Sequence, residues 1–112
     1  DVFYDPEIAT KEIVDEVFAT VNDRIKLVKT LAIAKSAIRH NMAQDLPAMK
    51  TPTCIIWGKN DSVTPPDVAE LFDELLPNSD LFWMDKCGHA PMMEHPNEFN
   101  AILDAWLEKN KY

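Results

Sequence analysis

The sequence of 112 residues predicts an α/β fold, in which a βαβ unit follows a helical hairpin and precedes a last helix. Two short and almost unbroken apolar runs predict strands, and an amphipathic stretch with proline at its start predicts the helix between them. Almost unbroken apolar strands on either side of a helix are typical of a parallel sheet whose two faces are both covered.

Apolar residues at helical spacing predict two helices before the first strand. The first helix runs from an N-cap at Thr10 to about Val21, and the polar cluster at 22–24 separates it from a second helix that ends near Met42. The apolar stripe of the first helix consists of Ile13, Val14, Val17, Phe18 and Val21. We assign residues 1–46 to this helical region and residues 47–112 to the βαβα region.

The elements of the second region follow from the same patterns. A buried strand is predicted from Thr51 to Gly58, a helix from Pro65, a second strand from Leu81 to Met84, and a last helix from Asn97 after the loop 85–96. The buried stripe of the middle helix is expected to be Val68, Ala69, Leu71, Phe72, Leu75 and Leu76.

A sheet of two parallel strands leaves its outer edges unpaired, and so small a sheet is marginal by itself. Glycine is also scarce, since average usage of about 7% would give roughly eight glycines and the chain has 2. We therefore expect further strands from a segment that precedes Asp1. Either that segment or a second copy of the chain is expected to pair with the open sheet edge.

Charge and hydropathy argue against several classes of partner. The net charge of −8, from 11 basic and 19 acidic residues, opposes attraction to nucleic-acid phosphates and to anionic lipid heads. No apolar run approaches the roughly 20 residues of a membrane span, and the first residues lack the pattern of a signal peptide. We expect a cytoplasmic protein with reduced thiols, because Cys54 and Cys87 do not form the pattern of a disulfide framework.

Titratable side chains follow both predicted strands. Asp61 lies in the loop after the first strand, and His89 lies in the loop after the second. Because the carboxyl ends of parallel strands meet at one edge of a sheet, where ligands bind in open α/β folds, we expect these side chains to form a hydrogen bond. Such a carboxylate holds one ring nitrogen of the histidine and leaves the other to accept a proton from a nucleophile.

The segments PTCIIWGKND, residues 52–61, and CGHAPMMEHP, residues 87–96, resemble the last two strand-to-loop junctions of α/β-hydrolases. The resemblance covers about Met49 to Trp106 and is nearest to the cap-bearing group of esterases, epoxide hydrolases and carbon–carbon bond hydrolases. It implies that Asp61 is the acid and His89 the base of a catalytic triad, and that residues 1–46 are the tail of a helical cap and the helix leading into the sheet. A small-molecule substrate and no cofactor are implied.

The family also needs a nucleophile on a Gly-x-Ser-x-Gly turn, and these residues contain no such turn. Ser36, Ser62 and Ser79 are the serines present, and none has the required strand-turn-helix setting. We therefore expect the nucleophile in sequence before Asp1, with its identity as Ser, Asp or Cys open. Ester, thioester, amide and carbon–carbon bond substrates, and with an Asp nucleophile epoxides or haloalkanes, also remain open.

Each candidate residue has an alternative interpretation. In the alternative, Asp61 is only a turn residue, and His89 only forms hydrogen bonds that bridge backbone groups of its loop. A cysteine and a histidine two positions apart in one loop rarely act as nucleophile and base, so a packing role is favoured for Cys87. The set Cys87, His89 and His95 matches no common zinc spacing, so no metal is expected.

Three residues beside His89 have more ordinary expected roles. Glu94 is expected to form a salt bridge or to cap the last helix. Met92 and Met93 either line a substrate pocket or fill the core, and the core is favoured. The rival class for the whole chain is a non-catalytic α/β module that pairs its sheet edge with a partner.

Overall fold

A computed structural model describes residues 2–112, and Asp1 lies outside the described residues. It contains two helices, then a βαβ unit, then two further helices, in the order that the sequence predicts apart from one short helix.

The helical hairpin consists of α1, Lys11–Asn22, and α2, Arg24–Arg39. Thr10 is the predicted N-cap of α1, and its hydroxyl accepts a hydrogen bond from the N–H of Ile13 at 3.4 Å. Asp23 lies between the helices, where its carboxylate accepts from the N–H groups of Ile25 and Lys26 and starts α2. The predicted break at 22–24 is therefore a helix cap.

The apolar face of the hairpin is exposed to an extent that its pattern did not predict. Phe18 is 67% exposed, Ile25 69% and Val28 59%. The two helices pack against each other, yet most of their large apolar side chains have no cover within residues 2–112. Helix periodicity shows which face is apolar and does not show what that face contacts.

The sheet has two strands, β1 at Thr53–Gly58 and β2 at Ser79–Met84. They pair in parallel with Thr53 opposite Ser79 and Gly58 opposite Met84. Helix α3, Pro66–Leu75, connects them. It has no side-chain cap, and proline suits its first turn because the ring fixes φ near the helical value. After β2 come the short helix α4, Pro91–Glu94, and the long helix α5, Pro96–Lys109.

The core lies between β1, α3 and a short 3₁₀ helix, Leu46–Ala48. Leu46, Ile55 and Leu76 are its buried centre. Partly buried side chains pack around them, namely Trp57, Phe72, Leu75 and Leu81. Leu71 was expected in the buried stripe of α3 but is 47% exposed, because it faces an open groove beside the end of α2.

Helix α5 is fastened to the start of β2 by a buried tryptophan. The indole N–H of Trp106 donates to Asp80 Oδ2 at 2.8 Å, and Lys109 lies 3.3 Å from the other oxygen. These partners, with the indole first, hold the pKa of Asp80 below its ordinary value. These contacts therefore fix the position of α5 relative to the sheet. None of the helices in residues 2–112 is both long and apolar enough to span a bilayer.

Candidate active site

The carboxyl ends of the two strands bring their loops into direct contact. The N–H of Lys59 donates to the carbonyl of Met84, and the N–H of Asn60 donates to the carbonyl of Cys87, both at 2.9 Å. A Cβ on Gly58 would lie 2.1 Å from the Gly88 carbonyl oxygen, so no side chain fits there. The absence of a side chain at Gly58 therefore lets the two loops approach each other.

Asp61 is buried in the first of these loops, with 6% of its surface exposed. Its Oδ1 accepts from the N–H groups of Val63 and Thr64, each at 2.9 Å. Burial acts to raise the pKa of Asp61, but the hydrogen bonds from Thr64, the His89 ring and Val63 outweigh it, and the pKa lies below its ordinary value. The carboxylate is thus ionised at neutral pH.

His89 meets Asp61 through the other carboxylate oxygen. The His89 Nδ1 lies 2.9 Å from Asp61 Oδ2, within the range of a good hydrogen bond. The side chain of His89 is 42% exposed, whereas that of Asp61 is 4% exposed. With Nδ1–H donating to the carboxylate, Nε2 is the ring nitrogen that can accept a proton from another group. The predicted hydrogen bond between the two residues is confirmed.

A small cavity of about 120 Å³ adjoins the pair. It is lined by both members of the pair together with Ile56, Trp57, Gly58, Pro91 and Met92. Met92 and Met93, which were expected in the core, are 50% and 47% exposed. Both lie in the short helix α4, and Met92 lines the cavity, as the alternative interpretation of the methionines predicted.

A larger cavity of about 660 Å³ lies along β1, away from Asp61 and His89. It is lined by five consecutive strand residues, 53–57, which alternate between the two faces of the strand. Such a lining follows the edge of β1 that β2 leaves unpaired. This larger cavity therefore marks the open sheet edge and not the Asp61–His89 pair.

Glu94 has a role that the sequence did not predict. It is 6% exposed and neither forms a salt bridge in residues 2–112 nor caps α5. Its carboxylate accepts three backbone hydrogen bonds, from Tyr4, Asp5 and Gly88. Tyr4 and Asp5 are distant in sequence, so no local pattern could reveal this contact.

The other candidate residues are engaged elsewhere. Cys87 is fully buried, and burial together with the nearby Glu94 carboxylate raises the pKa of its thiol to about 11. His95 Nε2 pairs with the Lys86 carbonyl. The hydroxyl of Ser79 donates to Asp73 at the opposite end of β2 from the histidine loop, residues 85–90, which includes His89. Residues 2–112 contain no group of three or more His, Cys, Asp or Glu side chains suited to hold a metal.

Comparison with known proteins gives the family. A family profile described as alpha/beta hydrolase fold matches residues 9–96, well over half of the chain. The chain therefore belongs to the α/β-hydrolase fold family, and its two parallel strands and helices form part of that fold.

Individual relatives are hydrolases of more than one kind. A 2-hydroxy-6-oxononadienedioate/2-hydroxy-6-oxononatrienedioate hydrolase of a Pseudomonas species is 31% identical over 112 residues, covering 97% of this chain and 40% of that protein. The monoacylglycerol lipase ABHD6 of Bos taurus is 33% identical over 77 residues, covering 69% of this chain and 23% of that protein.

A solved structure is considerably more similar. MGS-MChE2, an α/β-hydrolase enzyme from the metagenome of sediments of the Mar Chica lagoon in Morocco, has 74% sequence identity and a TM-score of 0.82. The match covers 91% of this chain and 47% of that one. The chain thus spans less than half the length of each of these three relatives.

Proposed function

We propose that Asp61 and His89 are the acid and the base of a hydrolase triad whose nucleophile is supplied by sequence outside residues 1–112. The observation that carries this proposal is the 2.9 Å contact between Asp61 Oδ2 and His89 Nδ1. The buried carboxylate and the partly exposed imidazole suit the two roles, since an orienting acid is shielded and a base must reach a substrate.

The chemistry follows from the orientation of the ring. Asp61 holds the His89 tautomer that has its proton on Nδ1, so Nε2 accepts the proton of the nucleophile as it attacks a carbonyl carbon. The same Nε2 then donates that proton to the leaving group. Asp61 stabilises the imidazolium between these steps, and water releases the covalent intermediate with His89 as its base.

The substrate class that we propose is a small molecule with an ester or related carbonyl bond. Support comes from the relatives, one named for hydrolysis of a dicarboxylic dienedioate and another named as a monoacylglycerol lipase. We propose that the α1–α2 hairpin is the tail of the helical cap and the helix that leads into the sheet, and that the rest of the protein covers its exposed apolar side chains.

The open edge of β1 supports a second candidate function. Five consecutive residues of this strand border the 660 Å³ cavity, so the edge is accessible to another strand. In this alternative the chain is a non-catalytic module that adds its sheet to a partner. In the triad proposal, the nucleophile-bearing segment occupies the same edge.

The test is His89→Ala in the complete hydrolase, the polypeptide that includes the nucleophile. We expect a loss of at least about 10³-fold in kcat on p-nitrophenyl esters, because the nucleophile loses its base. The exposed His40 at the end of α2 provides the matched control, and His40→Ala should keep wild-type turnover. Equal turnover by His89→Ala and wild type would show that His89 is not the base.

A further inference from the structure

Glu94 is a buried carboxylate bound on both of its oxygens by backbone donors. Oε1 accepts from Tyr4 N–H at 2.6 Å and from Asp5 N–H at 2.9 Å, and Oε2 accepts from Gly88 N–H at 2.7 Å. Hydrogen bonds to an ionised acceptor are the stronger kind, and three of them fix the orientation of the carboxylate. Glu94 therefore joins two backbone segments that are far apart in sequence.

One of these segments carries His89, and the other is Val2–Asp5. They also touch directly, because the His89 N–H donates to the Val2 carbonyl at 2.7 Å. A Cβ on Gly88 would lie 2.6 Å from that same carbonyl oxygen. The backbone at Gly88 and His89 is thus held against the segment Val2–Asp5, and Glu94 spans the contact.

The Glu94 carboxylate also has a thiol beside it. The Cys87 thiol beside it has a pKa raised to about 11, by burial first and then by the charge and hydrogen bond of Glu94. That thiol stays neutral at ordinary pH. A thiol is a weak donor, so the three backbone N–H groups of the two segments are the main partners of the carboxylate.

We propose that Glu94 is a positioning residue for His89, which clamps the histidine loop to the segment Val2–Asp5 and so keeps the ring against Asp61. This inference rests on the proposed function and adds a residue that acts through His89 without touching substrate. The segment Val2–Asp5 leads into the α1–α2 hairpin, so the clamp also ties the position of the hairpin to that of the base.

The isosteric variant Glu94→Gln tests the clamp in the complete hydrolase. An amide has one acceptor oxygen, and both carboxylate oxygens of Glu94 receive N–H donors, so either orientation of the new amide turns its NH₂ toward a donor. We expect kcat to fall by about 10- to 100-fold with KM within about threefold, because a base displaced by about 1 Å transfers protons poorly. Glu70→Gln, at an exposed position of α3, makes the same charge change and should leave kcat unchanged.

A spectroscopic readout separates positioning from stability. The low-field proton resonance of His89 Nδ1–H reports the hydrogen bond to Asp61. It should shift or broaden in Glu94→Gln and stay in place in Glu70→Gln. A Glu94→Gln protein with a lower melting temperature but wild-type kcat and an unchanged resonance would overturn the proposal, because Glu94 would then be structural alone.

A second pair of variants tests the clamp from the opposite segment, and decides the matter if Glu94→Gln does not fold. Tyr4→Pro removes the 2.6 Å donor and leaves Glu94 in place, whereas Tyr4→Ala keeps the donor and removes an exposed side chain. We expect a several-fold lower kcat for Tyr4→Pro than for Tyr4→Ala. Equal, wild-type kcat in both would overturn the proposal.

His89→Ala, measured beside these variants, separates this inference from the proposed function. An active His89→Ala protein would reject the proposed function itself. An inactive His89→Ala protein together with a wild-type Glu94→Gln protein would reject the clamp alone.

Discussion

At the scale of single residues, the two oxygens of the Asp61 carboxylate have different partners. Oδ1 closes a turn by accepting from Val63 and Thr64, and Oδ2 faces the His89 ring. The turn fixes the carboxylate in the protein without substrate, so in the proposed triad the imidazole would be oriented without reorganisation. The interpretation of Asp61 as a turn residue and its pairing with His89 are therefore compatible.

Cys87 provides a residue-scale prediction that depends on pH. The thiolate is the nucleophilic form, and the pKa of Cys87 is raised from 9.0 to about 11, so its reaction with a thiol reagent should keep accelerating as the pH rises from 9 toward 11. At pH 8 the half-buried Cys54 should be modified first and the buried Cys87 last. Brief labelling followed by peptide mapping measures both rates.

Modification of Cys87 at pH 8 as fast as Cys54 would contradict this description of the histidine loop. Unfolded protein is the control, because both thiols should then react at similar rates. The comparison needs no assumption about catalysis.

At the scale of elements, sequence patterns predicted both strands, the capped start of α1 and the long helices. Each of these depends on local information, namely apolar periodicity, Thr10 as an N-cap and proline at a helix start. The strand-to-loop positions of Asp61 and His89 are equally local, so their meeting at the sheet edge followed from the parallel topology.

The features that the sequence did not predict depend on long-range contacts. Helix α4 lies in the predicted loop, where its four residues are too few to show a period. The three bonds to Glu94 come from backbone N–H groups, which every residue except proline possesses and which leave no mark on a sequence. Leu71 and the apolar face of the α1–α2 hairpin are exposed because no other element within residues 2–112 covers them. Helical periodicity alone cannot show whether a neighbouring element is present.

At the scale of the whole molecule, the open edge of β1 leads to a prediction for the 112 residues by themselves. The proposed acid Asp61 and base His89 have no nucleophile turn to act on within these residues, so we expect no saturable ester hydrolysis. The unpaired edge and the exposed apolar hairpin should instead cause self-association, which sedimentation at several concentrations measures.

The matched control for this assay is the same chain with His89→Ala, which accounts for background reaction with imidazole. Saturable turnover that depends on His89 in the isolated chain would place a nucleophile within these residues. A monomer at all concentrations would show that neither the sheet edge nor the hairpin drives self-association.

The most direct test of the Asp61–His89 pair is a kinetic cycle in the complete hydrolase with Asp61→Asn, His89→Ala and the double variant. The amide of Asp61→Asn can keep the turn through its oxygen but presents NH₂ to the ring, which selects the wrong tautomer, so kcat should fall by about 10⁴-fold. Asp67→Asn at an exposed position of α3 is the control for the charge change. Because the two residues act as a unit, the double variant should be no slower than His89→Ala alone. Wild-type kcat in Asp61→Asn, or losses that simply multiply in the double variant, would contradict the proposal that this pair works as one acid–base device.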